Sequence, residues 1–117
     1  MTLEDIFAYC HAKKGVTEEY PFGPETPVFK VMGKVFAIVA IESDPLRINL
    51  KCDPADAVAF RDVYPAIRPG YHMNKKHWNT VILDGTLPED FVLEMIDDSY
   101  DLVAGGLPKN VREELYG

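Results

Sequence analysis

The sequence predicts an α+β fold of two layers, a largely antiparallel five-stranded sheet packed on helices in the order α-β(3)-α-β(2)-α. Three observations carry this. Segments with a helical apolar period alternate with short segments rich in strand formers. Arg47-Ile48-Asn49-Leu50-Lys51-Cys52 alternates strictly, so Ile48, Leu50 and Cys52 share one face of a strand and Arg47, Asn49 and Lys51 the other. Helix starts and stops are also plain: Asp53-Pro54 opens one helix, and Gly15 and Gly105-Gly106 close others.

Thr2 and Asp5 form a capping-box signal, and Leu3, Ile6, Phe7 and Cys10 follow at helical spacing. Lys13 and Lys14 suit the negative end of the helix dipole, which places the first helix over about residues 2–14. Val16 to Tyr20 reads as a short extended piece. Pro21 to Pro27 is a loop, with three prolines and a glycine in seven residues. Val28 to Met32 and Val35 to Ile41 make a hairpin around Gly33-Lys34, the second strand so apolar that it belongs in the middle of the sheet. Ser43-Asp44-Pro45 turns into the alternating strand. The helix that opens at Asp53 buries Ala57, Phe60 and either Val58 or Val63, and Pro65 stops it.

Residues 67–81 hold two of the three histidines, the single tryptophan, the adjacent Lys75 and Lys76, Asn74 and Asn79. They read as a strand, an exposed turn near Asn74-Lys75-Lys76 and a return strand from His77 to Leu83, with Pro69-Gly70 marking an edge or bulge. Asp84-Gly85 turns, Thr86 and Glu89 form a capping box, and Phe91, Val92, Met95, Ile96, Tyr100 and Val103 give the next helix its apolar stripe. Leu107-Pro108 opens a last short helix to about Tyr116.

A chain of 117 residues with 47% hydrophobic content is long enough for one domain, residues 1–117, with a real core. No apolar run reaches the roughly 20 residues of a membrane span. The acidic start Met1-Thr2-Leu3-Glu4-Asp5 is unlike a signal peptide, so a cytoplasmic location and no membrane partner are expected. Cys10 and Cys52 are isolated and read as reduced thiols. The net charge of −7 is uneven: residues 30–83 carry eight Lys or Arg against five acids, and residues 84–117 two against nine. The total opposes nonspecific nucleic-acid binding, while the basic middle leaves room for a local patch.

Pro21-Phe22-Gly23, Val28-Phe29-Lys30-Val31, Gly33-Lys34-Val35-Phe36-Ala37, Leu50-Lys51-Cys52, Pro69-Gly70-Tyr71-His72-Met73-Asn74-Lys75, His77-Trp78-Asn79-Thr80-Val81 and Ser99-Tyr100-Asp101-Leu102-Val103 closely resemble the MmcQ/YjbR family of small bacterial proteins. The resemblance spans nearly the whole chain. It implies a fold like that of secretion chaperones and a likeness to the double-wing DNA-binding domain of a phage transcription factor. A non-catalytic DNA-binding role is therefore implied, by analogy of fold.

On that reading Arg47, Asn49 and Lys51, joined by Lys30 from the neighbouring strand and by Lys75, Lys76, His77 and Asn79, form the nucleic-acid surface. Tyr71 or Trp78 would stack on an unpaired base. The plain alternative is a solvated sheet face, with Trp78 in the core. A second functional reading is a protein- or small-ligand-binding module. Here a sheet edge or groove holds a peptide or pairs two copies, as a monomer or weak dimer, or Phe22, Tyr71, His72 and Trp78 wall a ligand pocket. His72 and His77 are the acid–base candidates, yet on one unbroken strand they would face opposite ways. No nucleophile motif, HExxH, paired CxxC or P-loop occurs, so no enzyme activity, metal or cofactor is expected.

Overall fold

The computed structural model describes residues 1–117. Its elements are α1 (Leu3–His11), β1 (Val16–Glu19), β2 (Val28–Val31), β3 (Lys34–Ala40), β4 (Leu46–Lys51), α2 (Pro54–Val63), β5 (Ile67–Pro69), β6 (Trp78–Leu83), α3 (Glu89–Gly105) and α4 (Lys109–Tyr116). The sheet has six strands in the order β1-β2-β3-β4-β6-β5, every pair antiparallel. The expected α+β architecture is present, with one strand more than the five expected. The extra strand is Val16–Glu19, which pairs with β2 from Val16↔Val31 to Glu19↔Val28. Four residues carry little periodicity of their own, and only their partner makes them a strand.

Local chemistry sets the boundaries. Thr2 caps α1 reciprocally with Asp5: Asp5 N–H donates to Thr2 Oγ1 at 3.2 Å, and Thr2 N–H to Asp5 Oδ2 at 2.9 Å. Asp53 caps α2 through the backbone N–H groups of Ala55 and Asp56. At α3 the expected capping box is absent. Thr86 instead donates to Asp84 Oδ1 at 2.6 Å, and Pro88 occupies the cap position with no side-chain acceptor to offer. The β2–β3 turn sits one residue earlier than expected, at Met32-Gly33, both left-handed with φ of 48° and 86°. Lys34 already belongs to β3.

One face of the sheet and the helices enclose the core, to which Ile6, Phe29, Phe36, Ile48, Val81, Ile96 and Leu115 contribute. Neither Val58 nor Val63 completes the buried stripe of α2, since both are exposed. Tyr64 does so. Phe60 and Tyr64 pack on Phe91 of α3 with ring centroids 5.3 and 5.0 Å away.

Ser99 lies in the middle of α3 and is wholly buried. In the β3–β4 register, where Ala37 faces Leu50, the next pair is Phe36 and Lys51. The Ser99 hydroxyl is inserted there. Lys51 N–H donates to Ser99 Oγ at 2.8 Å, and Ser99 Oγ donates to Phe36 O at 2.5 Å. A helix side chain thus completes a rung of the sheet. Replacing Ser99 with Ala strands a buried carbonyl and a backbone N–H, so Ser99→Ala is expected to cost about 1–3 kcal/mol. Thermal unfolding followed by circular dichroism should show Tm lower by roughly 5 °C or more; an unchanged Tm would count against this rung.

Candidate ligand-binding groove

The sheet face away from the core is not flat. Ile38 and Ala40 of β3, Arg47 and Asn49 of β4, and Thr80 of β6 lie on it by register, Ile38 opposite Asn49 and Asn49 opposite Thr80. They floor a groove of about 650 Å³. This face carries Arg47, Asn49 and Lys51 along β4, as expected, and is apolar along β3, because the run Val35–Ala40 presents hydrophobic side chains on both sides.

Two loops wall the groove. Loop 20–27 brings Phe22, and two backbone bonds clamp it to β3: Ile41 N–H to Glu25 O at 3.1 Å and Val39 N–H to Pro27 O at 3.0 Å. Loop 70–77 brings Tyr71, His72 and Met73. Tyr71 N–H donates to Thr80 Oγ1 at 3.0 Å, and Thr80 Oγ1 donates onward to Asn49 Oδ1 at 2.5 Å. The Thr80 hydroxyl thus accepts from the Tyr71 backbone and donates to Asn49, with the Asn49 carbonyl oxygen turned toward it. Phe22 and Tyr71 are 68% and 64% exposed, so two aromatic rings stand open at the rim. His72 adopts φ 58°, uncommon for a residue with a side chain and frequent at functional sites.

Arg61 of α2 holds the base of loop 70–77. Its Nε donates to Asn79 Oδ1 at 2.6 Å, and its Nη2 to Trp78 O at 3.4 Å and to Lys75 O. Gly70 closes the same loop: its N–H donates to Trp78 O at 2.9 Å, and a Cβ there would meet Trp78 Cβ at 2.8 Å.

The structure regroups the residues singled out from the sequence. Arg47 and Asn49, chosen for nucleic acid, lie in one groove with Phe22, Tyr71 and His72, chosen for a ligand. Lys51 is farther along the same face, paired in register with Trp78. Lys30 is tied to Glu19 at 3.2 Å. Lys75 and Lys76 are exposed on loop 70–77, and Lys75 Nζ donates to Gly70 O at 3.3 Å. His77 is half-buried, its carbonyl accepting Cys52 N–H at 2.8 Å. Asn79 does not belong to that surface. It is 2% exposed on the core side, opposite Leu50, where it receives Arg61. Trp78 neither lines the groove nor joins the core; it is half-buried with the parity of Thr80. Thr80, Ile38, Met73 and Arg61 escaped the sequence reading, although the parity of Thr80 with Trp78 was a usable signal.

His11 is the histidine that meets a carboxylate, at 2.6 Å from Glu18, and it does not line the groove. Burial pushes the Cys10 thiol up to about 12. Burial and then the charges of Asp56, Asp53 and Asp98 push Cys52 up to about 11. On α3, burial and then repulsion from Glu94, Asp101, Asp97 and Asp56 raise Asp98.

Two outcomes are expected. Arg61→Gln leaves Lys75 O and Trp78 O without their shared donor and should lower stability by about 2 kcal/mol in urea unfolding, with an unchanged m value. A loss near zero would show that Arg61 does not hold the loop. Both thiols gain stability from staying protonated. With folded values above the ordinary 9.0, that gain is complete below about pH 9 and is lost as pH rises toward 11 and 12. Iodoacetamide at pH 8 should therefore alkylate the native protein far more slowly than the urea-unfolded chain; equal rates would contradict the assignment.

The YjbR family model matches residues 11–102. The uncharacterized protein YbdF of Escherichia coli O157:H7 is 44% identical over 90 residues, 77% of this chain and 74% of its own. The uncharacterized protein YjbR of Escherichia coli K12 is 33% identical over 115 residues, 98% of each chain. The crystal structure of DR2400 from Deinococcus radiodurans, a DUF419 domain, superposes with a TM-score of 0.92 at 43% identity, over 98% of this chain and 88% of that one. With the family model matching most of its length and YjbR matching nearly all of it, the chain belongs to the YjbR family.

Proposed function

We propose that this protein is a non-catalytic binding module whose groove takes a small organic ligand. The carrying observation is the groove itself: about 650 Å³, with seven hydrophobic residues among the 13 that line it. Small-molecule sites are commonly clefts of about 300–1,000 Å³, mostly apolar, with a few convergent polar groups. Ile38, Phe22, Tyr71 and Met73 supply the apolar part, and Arg47, Asn49 and His72 the polar part. A binding rather than a catalytic role fits the side chains present. The Thr80 hydroxyl is spent on Asn49, and both thiols are held protonated.

The test is a fluorescence titration with the neutral apolar probe N-phenylnaphthylamine. Saturable binding of one probe per chain is expected, weakened about tenfold by Phe22→Ser, which removes an exposed apolar wall without touching the core. Absence of binding, or binding indifferent to Phe22→Ser, would remove the groove reading.

DNA binding is the second reading, favoured by one observation. Arg47 and Lys51 share the open face, and neither forms an ion pair. Against it stand the net charge of −7 and the neutralisation of Lys30 by Glu19. Anisotropy titrations of duplex and single-stranded DNA at about 50 and 200 mM salt separate the two readings. Binding that weakens with salt and vanishes in the Arg47→Glu/Lys51→Glu variant would establish the DNA reading; no binding at low salt would end it.

A further inference from the structure

We infer that the groove selects a small organic anion, its apolar body lying over Ile38 and against Phe22 and Tyr71, its acidic head on Arg47 and Asn49. This rests on the groove reading and adds the charge of the ligand to it.

The first ground is the distribution of charge. The chain carries 19 Asp and Glu and a net charge of −7. None of the 13 residues lining the groove is acidic, and Arg47 is the one side chain among them that is charged at every physiological pH. In so acidic a protein, a cleft free of carboxylates with one guanidinium inside it is the reverse of a cation site.

The second ground is that Arg47 has no partner. Lys13 meets Asp97 at 2.5 Å, Lys30 meets Glu19 at 3.2 Å and Lys109 meets Glu113 at 4.0 Å; Arg47, like Lys34 and Lys51, makes no ion pair, but it alone of the unpaired cations lines the groove. Its neighbours across the sheet are Ala40 and Ile82, neither of which offers a side-chain acceptor, and Arg47 is exposed, so its donors are open to solvent or to a ligand. Guanidinium is the side chain best shaped to bind a carboxylate or phosphoryl group through two parallel hydrogen bonds.

The third ground is the polarity of Asn49. Thr80 occupies its Oδ1, so the half of the amide left for a ligand is the N–H₂ donor. Asn49 lies two residues from Arg47 on the same face, about 7 Å along the strand. Both floor donors therefore border the same groove. A neutral ligand would cover Arg47 without answering its charge, and a cation would face it directly. The size of the groove and the net charge of the protein favour a small monoanion over a polyanion, which the whole-molecule field repels.

The test compares two probes of nearly the same shape, anilinonaphthalene sulfonate and N-phenylnaphthylamine, which differ by the sulfonate. The anionic probe is expected to bind about tenfold tighter, the worth of a charge-assisted hydrogen bond. Arg47→Met should abolish that preference by weakening the anionic probe. Lys34→Met, which changes the net charge equally at an exposed residue outside the groove, should leave the preference intact. Equal affinities in the unsubstituted protein, or a preference that survives Arg47→Met, would overturn the anion inference while the neutral probe still reports the groove. Failure of both probes to bind would overturn the groove reading itself.

Discussion

Ser99 is the point at which the two layers of this fold become one structure. Most contacts between a helix and a sheet are apolar and tolerate sliding, because dispersion and solvent exclusion have little directional preference. The Ser99 hydroxyl has direction. It accepts from Lys51 and donates to Phe36, so α3 can take only one height and one rotation over β3 and β4. Around that fixed point, Ile96, Tyr100 and Val103 fill the core side, and β4 keeps Arg47 and Asn49 on the other side. The groove thus inherits its geometry from a hydroxyl on the far side of the sheet.

The groove has its own internal order. Thr80 joins the Tyr71 backbone to Asn49, so a wall loop and the floor belong to one hydrogen-bonded chain. Arg61 fastens the same loop from the helical side. Acidic crowding, meanwhile, is seen on α3 and the neighbouring start of α2, where Asp98 is raised by burial and by Glu94, Asp101, Asp97 and Asp56. A molecule with an overall negative charge thereby keeps a carboxylate-free cleft on its open sheet face.

What the sequence disclosed follows the range of the signals. The alternation of β4 assigned Arg47, Asn49 and Lys51 to the open face, and the structure places them there. Caps at Thr2 and Asp53 were legible because each closes within three residues. Asn79 shows a signal that was present and outweighed: its parity is that of Val81 and Leu83, which points inward, yet its polarity suggested the surface. Its stabilising partner Arg61 is 18 residues away, beyond any local pattern. Strand β1 was legible only as a short extended piece for the same reason, since its place in the sheet lies in its pairing with β2. The apolar floor was hidden because Val35 to Ala40 is hydrophobic on both faces, which reads as burial on both sides. The depth of the groove comes from loops 20–27 and 70–77, whose placement depends on bonds to β3 and β6.

The two edges of the sheet complete the account of how this molecule meets others. One edge is β1, four residues long and ending in Glu18 and Glu19; the other is β5, three residues ending in Pro69, which has no N–H to donate. Short, charged or proline-blocked edges resist the addition of further strands. Such a sheet does not grow by accretion, because few ladder groups are left open at either rim.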